Sequence, residues 1–184
     1  LKSVNKKLED SIIIIDEAQN VSERIRSILS YALSSFNLKR AIREAEQMQS
    51  PLEIELIKLK NEVELLGRQG PRVAKQNDLR TWEHDELEEL KALGNDYLES
   101  TNRMKSACLS IHNFLQTWPE DSEEYLRISN SRGVHHNCLD ASVATSEIID
   151  KAHSVIAMSG TLTPLEMYRD LLGFEESRTE LKQY

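Results

Sequence analysis

The chain is short of the residues that staple or punctuate a fold: 184 residues contain two cysteines, four prolines and six glycines. So few thiols exclude a disulfide-dense secreted scaffold, and Cys108 and Cys138 are expected to stay reduced inside a cell. Neither has a second cysteine at metal-ligand spacing. His135-His136-Asn137-Cys138 therefore reads as a strand with alternating exposure rather than a zinc cluster. No apolar run approaches bilayer-spanning length, and Leu1-Lys2-Ser3-Val4-Asn5 lacks the apolar core of a secretory signal. It also lacks an initiator Met, which predicts a piece of a longer polypeptide. Excess positive charge is missing as well. A net charge of −8 argues against a chain that coats nucleic acid through bulk electrostatics, while leaving room for a local basic path.

What is present is mostly helical periodicity. Ser22 is a candidate N-cap for a helix with Ile25, Ile28, Leu29, Ala32, Leu33 and Phe36 at helical spacing. Residues 38–48 continue as a helix with Ala41, Ile42 and Ala45 on its apolar stripe, and Ser50-Pro51 marks a break and a restart. A third helix carries Leu52, Leu56, Leu59, Val63 and Leu66 on one face, before Gly67-Arg68-Gln69-Gly70-Pro71 interrupts it. Residues 72–81 read as an exposed basic loop, and Thr81 caps a further helix through Leu98 that tolerates Gly94. Another helix runs from Met104 to Trp118, ended by Pro119. The period then changes to alternation. Residues 125–129 and 134–139 form a hairpin about Asn130-Ser131-Arg132-Gly133. Residues 140–151 are helical, 154–158 a buried strand, and Pro164 opens a last helix closed by Gly173.

One junction is more informative than these periods. Ile12 to Ile15 run directly into Asp16-Glu17-Ala18-Gln19-Asn20. A β-branched apolar run of this kind reads as a parallel-sheet strand buried on both faces. Carboxylates at its carboxyl end stand where ligands bind in open α/β sheets. Adjacent Asp and Glu suit nucleotide hydrolysis, one on Mg²⁺ and one orienting the attacking water, although such pairs also occur on ordinary surface turns. A second strand-then-polar-loop unit ends in Ser159-Gly160-Thr161. The layout is an α/β sheet interrupted by a helical insertion; an α-helical domain with incidental strands is the alternative.

Taken together, the two loops carry a resemblance. Asp16-Glu17-Ala18-Gln19 resembles motif II, and Ser159-Gly160-Thr161 motif III, of superfamily 2 helicases. With Cys138-Leu139-Asp140-Ala141-Ser142 between them and Leu162-Thr163-Pro164-Leu165 after, the order is similar to that of the XPD family of iron–sulfur DNA helicases. The matching residues lie at about 8–45 and 134–174, and the middle is identified by position.

The resemblance implies a fragment of a RecA-like motor domain with parallel strands. This would be interrupted by a mostly α-helical Arch domain with a small β-hairpin. The expected boundaries are 1–25 for the motif II part, 26–132 for the Arch-like insertion, and 133–184 for the return to the motor domain. It implies a 5′ to 3′ helicase of nucleotide excision repair whose Arch closes over single-stranded DNA. Expected partners are the remaining helicase domains and subunits of a repair or transcription complex. The expected location is intracellular: cytoplasm in a prokaryote, nucleus in a eukaryote.

Carried over by residue, Asp16 would hold Mg²⁺ and Glu17 would activate water against the ATP γ-phosphate. Gln19, Ser159, Gly160 and Thr161 would couple ATP state to DNA grip, Ser159 and Thr161 by hydrogen bonds across to the motif II loop. Gln19 replaces the family's histidine and cannot carry a proton, so coupling is the function most affected. No Gly-x-x-x-x-Gly-Lys-Ser/Thr loop is present and the cluster-binding cysteines are absent, so the chain alone is expected to be inactive as an ATPase.

Charge along the middle is uneven. Residues 58–80 hold Lys58, Lys60, Arg68, Arg72, Lys75 and Arg80, whereas 83–99 are acidic. Arg68, Arg72, Lys75 and Arg80 are candidate phosphate contacts, against the simpler reading of a solvated surface. Trp82 and Trp118 are read as packing residues before stacking platforms. Two other classes stand beside the enzyme fragment: a non-catalytic helical module that binds DNA or protein, and a free-standing helical scaffold.

Overall fold

The computed structural model describes residues 7–183, so most of the opening segment Leu1 to Leu8 lies outside the described residues. In chain order the elements are β1 (Ile12–Ile15), α1 (Val21–Leu29), β2 (Tyr31–Leu33), α2 (Ser35–Gln47), α3 (Leu52–Arg68) and β3 (Arg72–Val73). They continue with α4 (His84–Thr101), α5 (Ala107–Thr117), β4 (Tyr125–Asn130), β5 (Gly133–Cys138), α6 (Ser142–Lys151), β6 (Ser154–Ala157) and α7 (Leu165–Leu171). These fall into two units, one of Leu1–Leu29 with Cys138–Tyr184 and one of Ser30–Asn137.

The inserted unit is built on leucine. Leu56, Leu59, Val63 and Leu66 of α3 meet Leu38, Ala41 and Ala45 of α2, with Leu90, Ile111 and Phe114 completing one core. Local signals start each helix. The Ser34 hydroxyl accepts from Asn37 N at 3.2 Å, Glu83 N donates to Glu86 Oε2 at 2.9 Å, and the Ser106 hydroxyl accepts from Leu109 N at 3.3 Å. Gly94 lets α4 and α5 approach closely, since a Cβ there would lie 2.6 Å from Leu109 Cγ. A four-stranded sheet, ordered β2-β5-β4-β3, closes one side of this unit.

Glu44 fastens two helices together. Its carboxylate is buried and accepts from the Ser106 hydroxyl at 2.7 Å, Ala107 N at 2.8 Å and Cys108 N at 3.0 Å. A helix start offers unpaired N–H groups and a partial positive charge, so the carboxylate is satisfied without a cation. The same surroundings hold the Cys108 thiol protonated: burial first, then the adjacent Glu44 charge, push its pKa far up.

Several sequence expectations change here. The helix expected through Phe36 stops at Leu29, and Tyr31–Leu33 becomes an edge strand paired to His136, His135 and Val134. Cross-strand packing outweighs helix continuation, and Ser34 starts a new helix. Ser22 lies inside α1, because a 3₁₀ turn at Ala18–Asn20 leads straight into it. The expected loop at 72–81 is an ordered strip: Arg72 and Val73 pair with Ser129 and Ile128, and Ala74 and Leu79 are buried. Glu83 rather than Thr81 caps α4. Met104 is 96% exposed, outside the helix it was assigned to, because Ser106 caps α5 two residues later. Trp82 and Trp118 are both buried, Trp118 donating from Nε1 to Gln76 O at 2.8 Å.

The other unit centres on a parallel pair. β1 and β6 run with Ile12 opposite Ser154, Ile13 opposite Val155, Ile14 opposite Ile156 and Ile15 opposite Ala157. Main-chain bonds from His153 N to Leu8 O and Ser11 O secure its amino end. Asp140 starts α6, accepting Ser142 N and the Ser142 hydroxyl, each at 2.8 Å. The expectation of two buried faces fails: Ile12 and Ile14 are each 63% exposed, and Ile156 is 49% exposed. The sheet has two strands among the described residues, so one face of the isoleucine run has no layer against it.

Candidate active site: two loops at the ends of parallel strands

The register fixes what meets at the carboxyl edge of this sheet. Ile15 lies opposite Ala157, so the loops that follow leave side by side. Two main-chain bonds clamp them: Met158 N donates to Ile15 O at 2.9 Å, and Ala18 N donates to Met158 O at 3.1 Å. Asp16, Glu17, Gln19, Ser159, Gly160 and Thr161 are thereby gathered at one end of one unit. Met158 is the participant that the sequence reading omitted, and only the strand register reveals it.

Asp16 and Glu17 are exposed at the turn. Asp16 Oδ1 accepts Glu17 N at 2.9 Å, and Glu17 sits in the left-handed region with φ 52 and ψ 43. Left-handed backbone is strained for a side-chain-bearing residue and concentrates at functional loops. Gln19 Nε2 donates to Glu17 Oε2 at 2.6 Å, while Gln19 Oε1 is buried without a hydrogen-bond partner. The expected side-chain bonds from Ser159 and Thr161 to the motif II loop are replaced by local ones. Ser159 Oγ accepts Thr161 N at 3.1 Å and lies 3.3 Å from Thr161 Oγ1. A short hydroxyl side chain satisfies the nearest backbone N–H first.

The chemistry on offer is that of hard oxygen ligands. Mg²⁺ takes one or two carboxylates together with substrate phosphates and keeps several waters. The exposed Asp16–Glu17 pair fits that limited role. No group of three or more His, Cys, Asp or Glu able to hold a metal occurs among the described residues, so these residues do not fit an iron–sulfur cluster.

The basic candidates lie in the inserted unit and divide into two kinds. Arg72 pairs with Asp78 at 3.0 Å, and Arg80 pairs with Glu55 and Glu86, each at 3.1 Å. Arg80 also lies over the Trp82 ring, 4.2 Å from its centroid. Partial burial opposes ionisation of Asp78 and Glu86. The Lys75 and Glu83 backbone N–H groups and the facing arginines nevertheless hold both carboxyls below their usual range. Arg68 and Lys75 are exposed and their side chains form no ion pair among the described residues, although the Lys75 charge also acts on Asp78.

Residues 1–38, which contain β1 and the Asp16–Glu17 turn, match the DEAD_2 family model. Two curated relatives align to parts of the chain, both named general transcription and DNA repair factor IIH helicase subunit XPD. The Dictyostelium discoideum protein is 46% identical over 43 residues, and the Schizosaccharomyces pombe protein 50% identical over 38. Among solved structures, an apo XPD superposes with a TM-score of 0.70 at 23% identity over 94% of this chain. The chain is similar to XPD proteins in sequence at its amino end and in fold along most of its length. A truncated XPD superposes equally broadly, with a TM-score of 0.68 at 22% identity over 94% of the chain. The shared XPD fold is the RecA-like sheet fragment with a helical insertion.

The chain spans only part of these XPD proteins. The aligned stretches are 23% and 21% of this chain, and 6% and 5% of the curated relatives. The superpositions cover 34% of the apo XPD chain and 50% of the truncated one. No helix among the described residues is long and apolar enough to cross a membrane.

Proposed function

We propose that the chain is the part of an ATP-dependent 5′ to 3′ DNA helicase that supplies the catalytic carboxylates, the coupling loop and an Arch over single-stranded DNA. The observation that supports this most is the parallel β1–β6 register, which sets Asp16-Glu17 beside Ser159-Gly160-Thr161. Mg²⁺ would neutralise phosphate charge when bound with ATP, and Asp16 is the residue to hold it. Glu17 orients the attacking water and takes its proton, a role that needs a carboxylate free of an ion pair. Gln19 positions Glu17 through the 2.6 Å bond, but cannot shuttle a proton onward. Ser159, Gly160 and Thr161 pass the state of that turn along the Met158 clamp.

The phosphate loop, the second motor domain and any cluster-binding cysteines belong to other parts of the longer protein. The chain alone is inactive as an ATPase on this reading. Its partners are those other domains, single-stranded DNA and, in a eukaryote, subunits of a repair or transcription complex. The setting is intracellular. For DNA contact, Arg68 and Lys75 are favoured over Arg72 and Arg80, whose charges are already paired.

The test is ATP hydrolysis by the longer polypeptide. Glu17→Gln should lower kcat about 100-fold or more with little change in ATP affinity, the scale of a lost general base. Unchanged turnover would remove the catalytic role. Gln19→His should raise the number of base pairs opened per ATP while leaving DNA-independent hydrolysis nearly level. The module reading has one observation in its favour, a core that the inserted unit completes from its own residues. It predicts DNA or protein binding by this chain irrespective of Asp16 and Glu17.

A further inference from the structure

Six of the fourteen lysines and arginines of the inserted unit are spoken for: Lys58, Lys60, Arg72, Arg80, Lys91 and Arg127 each pair with a carboxylate. The exceptions include the outward side of α2. Phe36, Lys39, Arg40 and Arg43 recur at the spacing that brings residues onto one helical face, and all four are exposed. Lys39, Arg40 and Arg43 have no ion pair among the described residues, and Phe36 is 68% exposed. The opposite side of α2 carries Leu38, Ala41 and Ala45 into the core, so the helix cannot roll to hide the strip.

A second segment joins it. Glu44 lies one residue after Arg43 and binds Ser106 and the first N–H groups of α5. That anchor holds the exposed loop of Arg103, Met104 and Lys105 alongside α2. Arg103 and Lys105 likewise have no ion pair among the described residues. Two acidic residues border the strip: Glu46, one turn beyond Arg43 on α2, and Glu99 near the end of α4. There the Ser100 hydroxyl lies 3.6 Å from the Met48 sulfur, just past the end of α2.

We infer that the α2 face and the Arg103–Lys105 loop form a binding track for single-stranded nucleic acid. Lys39, Arg40, Arg43, Arg103 and Lys105 meet phosphates, and Phe36 stacks on a base. Unpaired cations beside an exposed aromatic ring are the combination single-strand binders use, because phosphates and base faces recur with any sequence. This deepens the single-stranded DNA part of the proposed function and rests on it. It places contacts on residues outside the Arg68–Arg80 stretch.

The test is fluorescence anisotropy of a labelled oligothymidylate with the chain at several salt concentrations. Lys39→Ala/Arg40→Ala/Arg43→Ala should weaken binding about ten-fold at low salt and lower the salt slope by about 2, near 0.7 per lost phosphate contact. Phe36→Ala should weaken it about five-fold or more with the slope unchanged. Tryptophan emission reports folding of each variant, since Trp82 and Trp118 are both in this unit. The inference is overturned if wild-type chain does not bind the oligothymidylate, or if the folded triple variant keeps wild-type affinity and slope. It is also overturned if polyglutamate competes as well as DNA and Phe36→Ala is neutral, which would identify an acidic protein as the partner. Strand binding through α2 alongside full ATP turnover in Glu17→Gln would sink the catalytic reading and leave the track standing.

Discussion

The two units solve the burial problem in opposite ways. The β1 strand is the most apolar run in the chain, yet Ile12 and Ile14 stay mainly in water. In the inserted unit, leucines spread at helical spacing through charged helices are almost completely buried, Leu56, Leu59 and Leu90 among them. Local hydrophobicity therefore does not decide burial. A helical stripe finds its partner within a few dozen residues of the same unit, whereas a parallel strand needs neighbours on both edges and a layer on each face. One unit is complete in its own residues, and the other presents apolar surface that suits a larger sheet.

The largest break in this comparison comes from the helical core. Leu59→Ala should lower the stability of the inserted unit by about 3–5 kcal/mol, as buried leucine truncations do. Chemical denaturation followed by tryptophan emission measures it, because both tryptophans report this unit alone. Glu44→Ala follows at about 3 kcal/mol, since it strips a buried charged acceptor from the start of α5; the same denaturation curves apply.

Acid supplies the third contrast. His136 is fully buried, stacks on Tyr125 at 4.8 Å between ring centroids, and both of its ring nitrogens lack a hydrogen-bond partner. Burial first, and then the nearby Arg127 charge, bring its pKa down from 6.5 to about 4. The folded state therefore favours the neutral ring. Its contribution is complete above pH 6.5 and is lost as pH falls from 6.5 toward 4, amounting to up to about 3 kcal/mol. His136→Phe should flatten the stability of the inserted unit over that window, and an unchanged slope would exclude His136 as the cause. The smallest effect belongs to the other unit: Ile14→Ser should move the thermal stability of this chain by less than about 0.5 kcal/mol. A large loss would mean that β1 is better covered than its exposure indicates.

Much of this was readable from residues alone, and the failures have physical causes. α3, the hairpin, α6, β6 and α7 were legible because each has strong periodicity bounded by Gly, Pro or a capping residue. β2 was not, since Tyr31-Ala32-Leu33 extends a helical stripe and becomes a strand only through pairing with β5. The 72–81 stretch looked like a solvated basic loop because its charges hide two contributions: a strand of two residues, and apolar residues that reach the core singly. Asp16 and Glu17 were singled out from adjacent residue types at a strand end, and the Ser159–Thr161 loop from its resemblance to a helicase motif. The clamp through Met158 was invisible, because it uses no side chain.

That last feature has a consequence for inheritance. A link made of peptide N–H and carbonyl groups is indifferent to what residues 18 and 158 carry. Side chains around that edge can change without loosening the tie between the two loops. Only a residue lacking an amide hydrogen removes a donor, so proline at either position is the narrow genetic route to uncoupling them.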